Sequence, residues 1–277
     1  MAVNLTLVSN ACMNLHPDNV TANFRAEFPR LLDFTGGKYE VALTCFQCKK
    51  SWNTFTDRES YKLSFQVTDV SSAEIIQTDF DVPFSELFSV QIPSGCYTSM
   101  SQVVKTISDL IKKEGYKDYV SFSFDTVSNK ISVKFNDGLE IQYTARIILD
   151  PGLVRKLGWM RTGYFGPVAI IGNRGYEETA PYVGRLDEIE QLFISCDIAQ
   201  NCHIVGDKET PILQIFSSKG NFQEMLSFEP KNLVWLPLRR NQFKDAMCII
   251  TDATGETVPF ESGTSIVRVQ IRRVSPF

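Results

Sequence analysis

The stretch KDAMCIITDATGETVPFESGTSIVRVQIRR, from Lys244 to Arg273, shows the pattern from which we predict the fold. Its two ends alternate apolar and polar residues, as β-strands with one buried face do. The segment between them carries no set of residues typical of catalysis. We therefore expect a closing hairpin whose turn is shaped by Gly255 and Gly263, with Phe260 packed beneath it. A regular hairpin without chemistry favours a structural or binding role.

Strand-like alternation recurs at both ends of the chain. Near the C-terminus it appears in EQLFISCDI, TPILQIFSS and LSFEPKNLVWLPL, and near the N-terminus in NLTLVS, TANFRAEFPRLLDF and KYEVALTCFQ. Three strands at the front and five at the back make eight, the strand number of a jelly roll. Turn-rich breaks without helices between the strands favour antiparallel pairing. Pro29 has no N–H to donate, so we expect it at a strand end or on a sheet edge.

The middle of the chain has a different texture and contains the clearest helix. In SGCYTSMSQVVKTISDLIKKEG an apolar stripe recurs at helical spacing, formed by Val103, Val104, Ile107, Leu110 and Ile111. YKLSFQVTDV and AEIIQTDFDV precede it as predicted strands, and YVSFSFDTVSNKISVKFNDGLEIQY follows it as a predicted three-stranded meander. A short helix is predicted from Pro151 to Leu157. The stretch from Arg161 to Gly184 is rich in Gly, Tyr and Pro without periodicity, which predicts a long ordered loop.

These patterns together predict a mainly β fold, an antiparallel single jelly-roll β-sandwich with an α+β insertion domain. The N-terminal jelly-roll strands occupy residues 1–55, and the C-terminal strands occupy residues 186–277. The insertion domain between them spans residues 56–185.

Composition limits the classes of function. The 277 residues are 43% hydrophobic and 22% charged with a net charge of −4, which is typical of a soluble globular protein. A mildly acidic chain gives no electrostatic reason to expect a nucleic-acid ligand. No segment approaches the roughly 20 apolar residues of a membrane span, and the N-terminus does not resemble a signal peptide. We therefore expect the protein on the cytosolic side, with its seven cysteines reduced.

Candidate chemistry is sparse. The two histidines, His16 and His203, are too few for a histidine-based metal site, and no G-x-S-x-G motif accompanies either. Cys45 and Cys48 form a C-x-x-C within a strand pattern, where alternation points the two side chains to opposite faces. A zinc site would need a second pair of ligands. We expect no catalytic residue, no metal and no cofactor, and hence no enzyme.

Four aromatic residues lie on the Gly-rich stretch that precedes the C-terminal strands. They are Tyr164, Phe165, Tyr176 and Tyr182. Aromatics on an aperiodic segment can anchor a protein interface, so they are candidate subunit-interface residues. They can equally pack into a local small core, and the sequence leaves both interpretations open.

The C-terminal residues resemble a known family. The order LFISCDIAQNCHIVGDKETPILQIF, followed by LVWLPLRR and by the Gly-x-x-Val-Pro-Phe-x-x-Gly turn before a strand ending in Arg, is similar to the minor capsid (penton) proteins of Polinton or Maverick elements and adintoviruses. The likeness to virophage pentons is more distant. SGCYTSMSQVVKTISDLI with a later LVRKLGW also looks like a module of these proteins, whereas the N-terminal part matches only in strand pattern.

The resemblance implies a structural role in an icosahedral, virus-like shell. A single jelly roll would assemble as a homopentamer at the vertices, surrounded by a double jelly-roll major capsid protein. The insertion domain would form an outward tower that meets a host surface receptor. The protein would belong to the virion and be made in the host cytoplasm, with nuclear assembly left open. The resemblance carries over no catalytic or cofactor residue.

Three alternatives remain at this stage. The chain could be a β-sandwich module that binds a receptor or a glycan without a role at a vertex. It could be an enzyme on a jelly-roll scaffold, which stoichiometric bound metal would favour. It could also be a capsid gene domesticated by its host, and the sequence alone does not separate these possibilities.

Overall fold

A computed structural model describes residues 2–56, 60–69, 85–160, 166–186, 189–205 and 208–274. The chain divides into a first unit, Met1–Asn53 with Ile189–Phe277, and a second unit, Thr54–Glu188. The elements are β1 Ala2–Val8, β2 Asn23–Asp33, β3 Tyr39–Lys49, β4 Lys62–Asp69, β5 Ser85–Gln91, α1 Met100–Lys113, β6 Val120–Asp125, β7 Lys130–Phe135, β8 Tyr143–Leu149, α2 Pro151–Leu157, β9 Val168–Gly172, β10 Glu177–Thr179, β11 Gln191–Cys196, β12 His203–Val205, β13 Lys208–Thr210, β14 Ile212–Ser217, β15 Met225–Phe228, β16 Leu236–Pro237, β17 Gln242–Thr251 and β18 Ile266–Arg273. Neither helix in the described ranges is long and apolar enough to span a membrane.

The first unit is a sandwich of two antiparallel sheets. The first sheet has the order β1-β18-β3-β15, with β16 also paired to β3, and the second sheet has the order β14-β11-β17-β2. These orders use eight main strands, and β12 and β13 form a separate two-stranded ribbon. Counted along the chain, the first sheet contains the first, eighth, third and sixth main strands, and the second sheet contains the second, seventh, fourth and fifth. This is the double Greek-key order of a jelly roll, so the predicted fold class is confirmed.

The core of the first unit lies between its two sheets. Along β18 the residues alternate, with Val267, Val269 and Ile271 buried and the arginines between and after them exposed. Phe46 of β3 meets Phe216 of β14, with ring centroids 5.0 Å apart. Because β3 and β14 belong to different sheets, this contact joins the two inner faces. Burying one such side chain contributes about 1.5–3 kcal/mol.

The predicted closing hairpin is wrong. β17 pairs with β2 and β11 in the second sheet, whereas β18 pairs with β1 and β3 in the first sheet. The connection 252–265 therefore crosses from one sheet to the other. Its residues do make one tight turn, in which the Asp252 side chain accepts the Thr254 N–H at 2.8 Å. Alternation identifies strands but not their partners, and a connection this long exceeds the two to five residues usual in a hairpin.

Pro29 lies on an edge strand, as predicted. β2 is the last strand of the second sheet, and its register with β17 shifts between the pairs Asp245↔Glu27 and Phe243↔Leu32. Pro29 falls in the interval between those pairs. The missing N–H therefore removes no ladder hydrogen bond.

The second unit is α+β. Its sheets have the orders β5-β4-β8-β9 and β10-β7-β6. Both helices lie where the sequence predicted them. At the start of α1 the Ser99 hydroxyl accepts the Gln102 N–H at 3.2 Å, which satisfies one of the free amides of the first turn. α2 ends at Gly158, which adopts the left-handed conformation with φ of 84°.

Two predictions for the middle of the chain need correction. The third strand of the expected meander begins only at Tyr143, and this strand, β8, pairs with β4 and β9 rather than with β7. The expected loop from Arg161 to Gly184 contains β9 and β10, because the β-branched run in VAII outweighs the flanking Gly and Pro. β5 was not predicted, and the predicted strand AEIIQTDFDV lies outside the described residues.

Candidate assembly surface

No constellation for metal chemistry is present in the described part of the chain. No three His, Cys, Asp or Glu side chains in it converge to hold an ion. His16 lies in the connection between β1 and β2, and His203 begins β12. The Nε2 atom of each is buried without a hydrogen-bond partner among the described residues. The two rings belong to separate segments and do not form a shared site with other ligands.

Three of the cysteine side chains pack in the core of the first unit. All seven are free, and Cys48, Cys196 and Cys248 belong to the core of the first unit. Burial raises the pKa of the Cys48 thiol to about 12. A hydrogen bond with Cys196, together with burial, raises the pKa of Cys248 well above its ordinary value. Thiols held neutral in this way are poor nucleophiles and poor metal ligands.

Thiol reactivity provides a direct check of this packing. With iodoacetamide at neutral pH, we expect Cys202, which is exposed, to be alkylated first. Cys48 and Cys248 should react at least about 100-fold more slowly, because little thiolate forms and the reagent cannot reach the core. Peptide mass spectrometry measures the extent of alkylation at each cysteine. Complete labelling in guanidinium chloride is the control, and equal rates for Cys48 and Cys202 in the native protein would contradict the assignment.

Two of the four predicted interface aromatics, Tyr176 and Tyr182, are linked by hydrogen bonds to the Gly158–Trp159 segment of the second unit. Glu178 accepts hydrogen bonds from the Trp159 indole at 3.2 Å and from the Tyr176 hydroxyl at 3.3 Å. The negative charge of Glu178 raises the pKa of the Tyr176 phenol. Tyr182 donates its backbone N–H to the carbonyl of Gly158, the residue before Trp159.

Both tyrosines combine packing with exposure. The Tyr176 ring lies 6.4 Å from the ring of Phe135, a core residue, yet 44% of Tyr176 is exposed. Tyr182 is 37% exposed. Each of them therefore presents a surface that a partner can contact. Tyr164 and Phe165 lie outside the described residues.

The predicted turn residues lie in the connection between β17 and β18. Gly255 and Gly263 have φ of 87° and 98°, a conformation that favours glycine. Phe260 packs edge-on against Trp52, with ring centroids 5.4 Å apart. Since this connection joins the two sheets, these residues shape a crossover at one end of the sandwich rather than a hairpin.

The first unit has two different flanks. On one flank the edge strands β14 and β15 meet through Phe216 and Phe228, which stack with centroids 5.2 Å apart. On this flank Ile215 and Met225 are 40% and 61% exposed. The other flank is formed by β1 and β2, where Leu31 is 56% exposed. The sequence interpretation missed these residues, although alternation in EMLSFE places Met225 on the outer face with Ser227.

The outer face of the first sheet is basic beside β1. Arg268 of β18 is exposed and lies across from Thr6. Arg272 lies across from Ala2, stacks on the Trp235 ring at 3.8 Å and forms an ion pair with Glu40 at 3.1 Å. Arg272 therefore contacts both Trp235 and Glu40, whereas Arg268 forms no ion pair with any of the described residues.

Comparison with solved structures finds two that resemble this chain. No family model matches the sequence, and no curated protein matches it. The crystal structure of selenomethionine-labelled mavirus penton protein is similar, with 12% identity and a TM-score of 0.51, covering 99% of this chain and 100% of that chain. A chain of the Sputnik virophage, solved by cryo-EM, has 11% identity and a TM-score of 0.45, covering 98% of each chain. The chain thus shares the fold of the mavirus penton protein over nearly its whole length.

Proposed function

We propose that this protein is a structural minor capsid subunit, a penton, which forms the vertices of an icosahedral virus-like shell. The observation that carries the proposal is the jelly roll interrupted by an α+β unit between β3 and β11. The mavirus penton protein shares this fold across 99% of the chain. The motifs of the C-terminal strands add support for the Polinton, Maverick and adintovirus lineage.

The proposed assembly is a homopentamer. A ring closes when each subunit presents two different, complementary surfaces to its neighbours, because a cyclic contact is heterologous. The two flanks of the first unit differ in this way, with Ile215 and Met225 on one and Leu31 on the other. In the ring, Tyr176 and Tyr182, together with Tyr164 and Phe165, are proposed to add contacts between neighbouring second units.

The other proposed partners follow from a vertex position. A double jelly-roll major capsid protein surrounds each ring, and the insertion domain, residues 56–185, carries the contact with a host surface receptor. The protein is made in the host cytoplasm and ends in the virion. In this role no covalent bond is formed or broken. The fold therefore has only to remain rigid and to offer surfaces for contact with other subunits.

Co-assembly tests the proposal. The full chain is expressed with the double jelly-roll protein of the same genome, and the particles are imaged by cryo-EM. We expect density for this chain at the fivefold positions and five-lobed rings in the sample of the chain alone. Shells whose vertices lack the chain, or a chain that stays monomeric while binding a glycan or receptor, would contradict the proposal and favour the binding module.

A further inference from the structure

We propose that neighbouring copies in the ring are joined by pairing of edge strands, with β1 of one copy adding to β15 of the next. This inference rests on the proposed homopentamer. β1 and β15 are the two end strands of the first sheet. The pairing would therefore continue that sheet from one subunit to the next.

β1 is an unguarded sheet edge. Its sequence AVNLTLV has no charge and no proline, and its register with β18 runs without a shift from Ala2↔Arg272 to Val8↔Ile266. Natural edge strands are usually protected by charges, prolines or bulges, since an open edge invites another strand. β2 shows such protection, with Pro29, exposed Arg30 and a register shift.

The free backbone groups of β1 can be assigned. Ser9 donates its N–H to the Ser265 carbonyl at 3.0 Å, which makes this position a hydrogen-bonded pair. In an antiparallel ladder such pairs alternate, so Leu5 and Leu7 bond to β18. The N–H and C=O groups of Asn4 and Thr6 then point to the open edge, and both residues are exposed. No strand of the described chain covers that edge.

β15 offers the matching edge. Lys50 donates its N–H to the Glu224 carbonyl at 2.8 Å, and this bond sets the alternation on β15. Leu226 and Phe228 therefore bond to β3, while the backbone groups of Met225 and Ser227 point outward. The strand MLSF is itself uncharged.

Direction and register also match. Each neighbour in the first sheet is antiparallel to the next, so β15 runs opposite to β1. Rotation about a ring axis preserves the direction of strands that run along it, so β1 and the next copy's β15 meet antiparallel. Placing Thr6 opposite Met225 sets Asn4 opposite Ser227. These two pairs form four backbone hydrogen bonds.

The charges near the two edges favour β15 of a second copy as the strand that pairs with β1. The β1 side carries exposed Arg272, which lies beside the small Ala2 side chain, and Ala2 falls opposite Glu229 when Thr6 lies opposite Met225. The β15 side ends in exposed Glu229, which follows Phe228 directly. Opposite charges on the two edges favour a contact between β1 and β15 over one between two copies of β1.

A proline substitution tests the pairing. Thr6→Pro removes an N–H that points outward, so the ladder with β18 remains complete. We expect this variant to melt like the wild type while its rings dissociate at a concentration at least tenfold higher. Thr6→Val keeps the N–H and is expected to form rings as the wild type does. Light scattering over a dilution series measures both variants.

A cross-link tests the register independently of proline. The variant Thr6→Cys with Met225→Cys, oxidised with diamide, should give a ladder of linked chains up to five on a non-reducing gel. Each single variant controls for the seven native cysteines. Rings that survive Thr6→Pro and give no ladder would overturn the strand pairing but leave the vertex role standing. Absence of rings from the wild type, alone and in shells, would overturn the proposed function itself.

Discussion

Replacing Phe46 with alanine is expected to lower the free energy of unfolding of the first unit by about 3–5 kcal/mol, as for other buried phenylalanines. Phe46 is fully buried on β3 and contacts Phe216, which stacks on Phe228. The substitution therefore leaves a cavity between the two sheets. Guanidinium chloride unfolding measures the loss.

Two control variants show whether the loss of stability comes from the cavity at Phe46. Phe46→Leu keeps most of the volume and is expected to cost less than about 1.5 kcal/mol. Ile204→Ala changes a residue of the first unit that is 75% exposed, and its effect should stay within about 0.5 kcal/mol. A loss below about 1 kcal/mol for Phe46→Ala would show that the two sheets do not share one tightly packed core.

Replacing Gly158 with alanine is expected to destabilise the second unit by about 2–4 kcal/mol, in the range of strongly disruptive substitutions. Gly158 has φ of 84°, and an added Cβ would lie 2.3 Å from the Tyr182 carbonyl oxygen. The backbone near Tyr182 must therefore shift. The fluorescence of Trp159, the one tryptophan in Thr54–Glu188, reports unfolding of this unit.

Gly115 is the matched control for Gly158. It follows α1 with φ of 89°, but nothing lies within 4 Å of an added Cβ. Gly115→Ala should therefore cost only the left-handed strain, about 1 kcal/mol. Equal losses for the two variants would mean that the close approach of Tyr182 to Gly158 does not exist.

Alternation was sufficient to predict the jelly roll because its strands each have one buried face. The run from Ile266 to Arg273, with valines and isoleucine facing the core between arginines, is one example. The same signal could not predict that β17 and β18 lie in different sheets. Pairing is decided by contacts between residues far apart in the sequence, such as Phe46 with Phe216.

The candidate surface could be predicted only in part. Tyr176 and Tyr182 were identified from composition, but their link through Glu178 and Trp159 to Gly158 depends on tertiary structure. The exposure of Met225 follows from alternation once β15 is assigned. The open edge of β1 could not be predicted, because a strand lies at an edge only when the order of the whole sheet is known.

Assembly into a five-membered ring is tested most simply by the mass of the purified full chain in light scattering, with electron micrographs of the same sample. A homopentamer is expected to give particles of five times the chain mass of 31.3 kDa and rings with five lobes. A mass of 31.3 kDa at every concentration, unchanged when the major capsid protein is added, would contradict it.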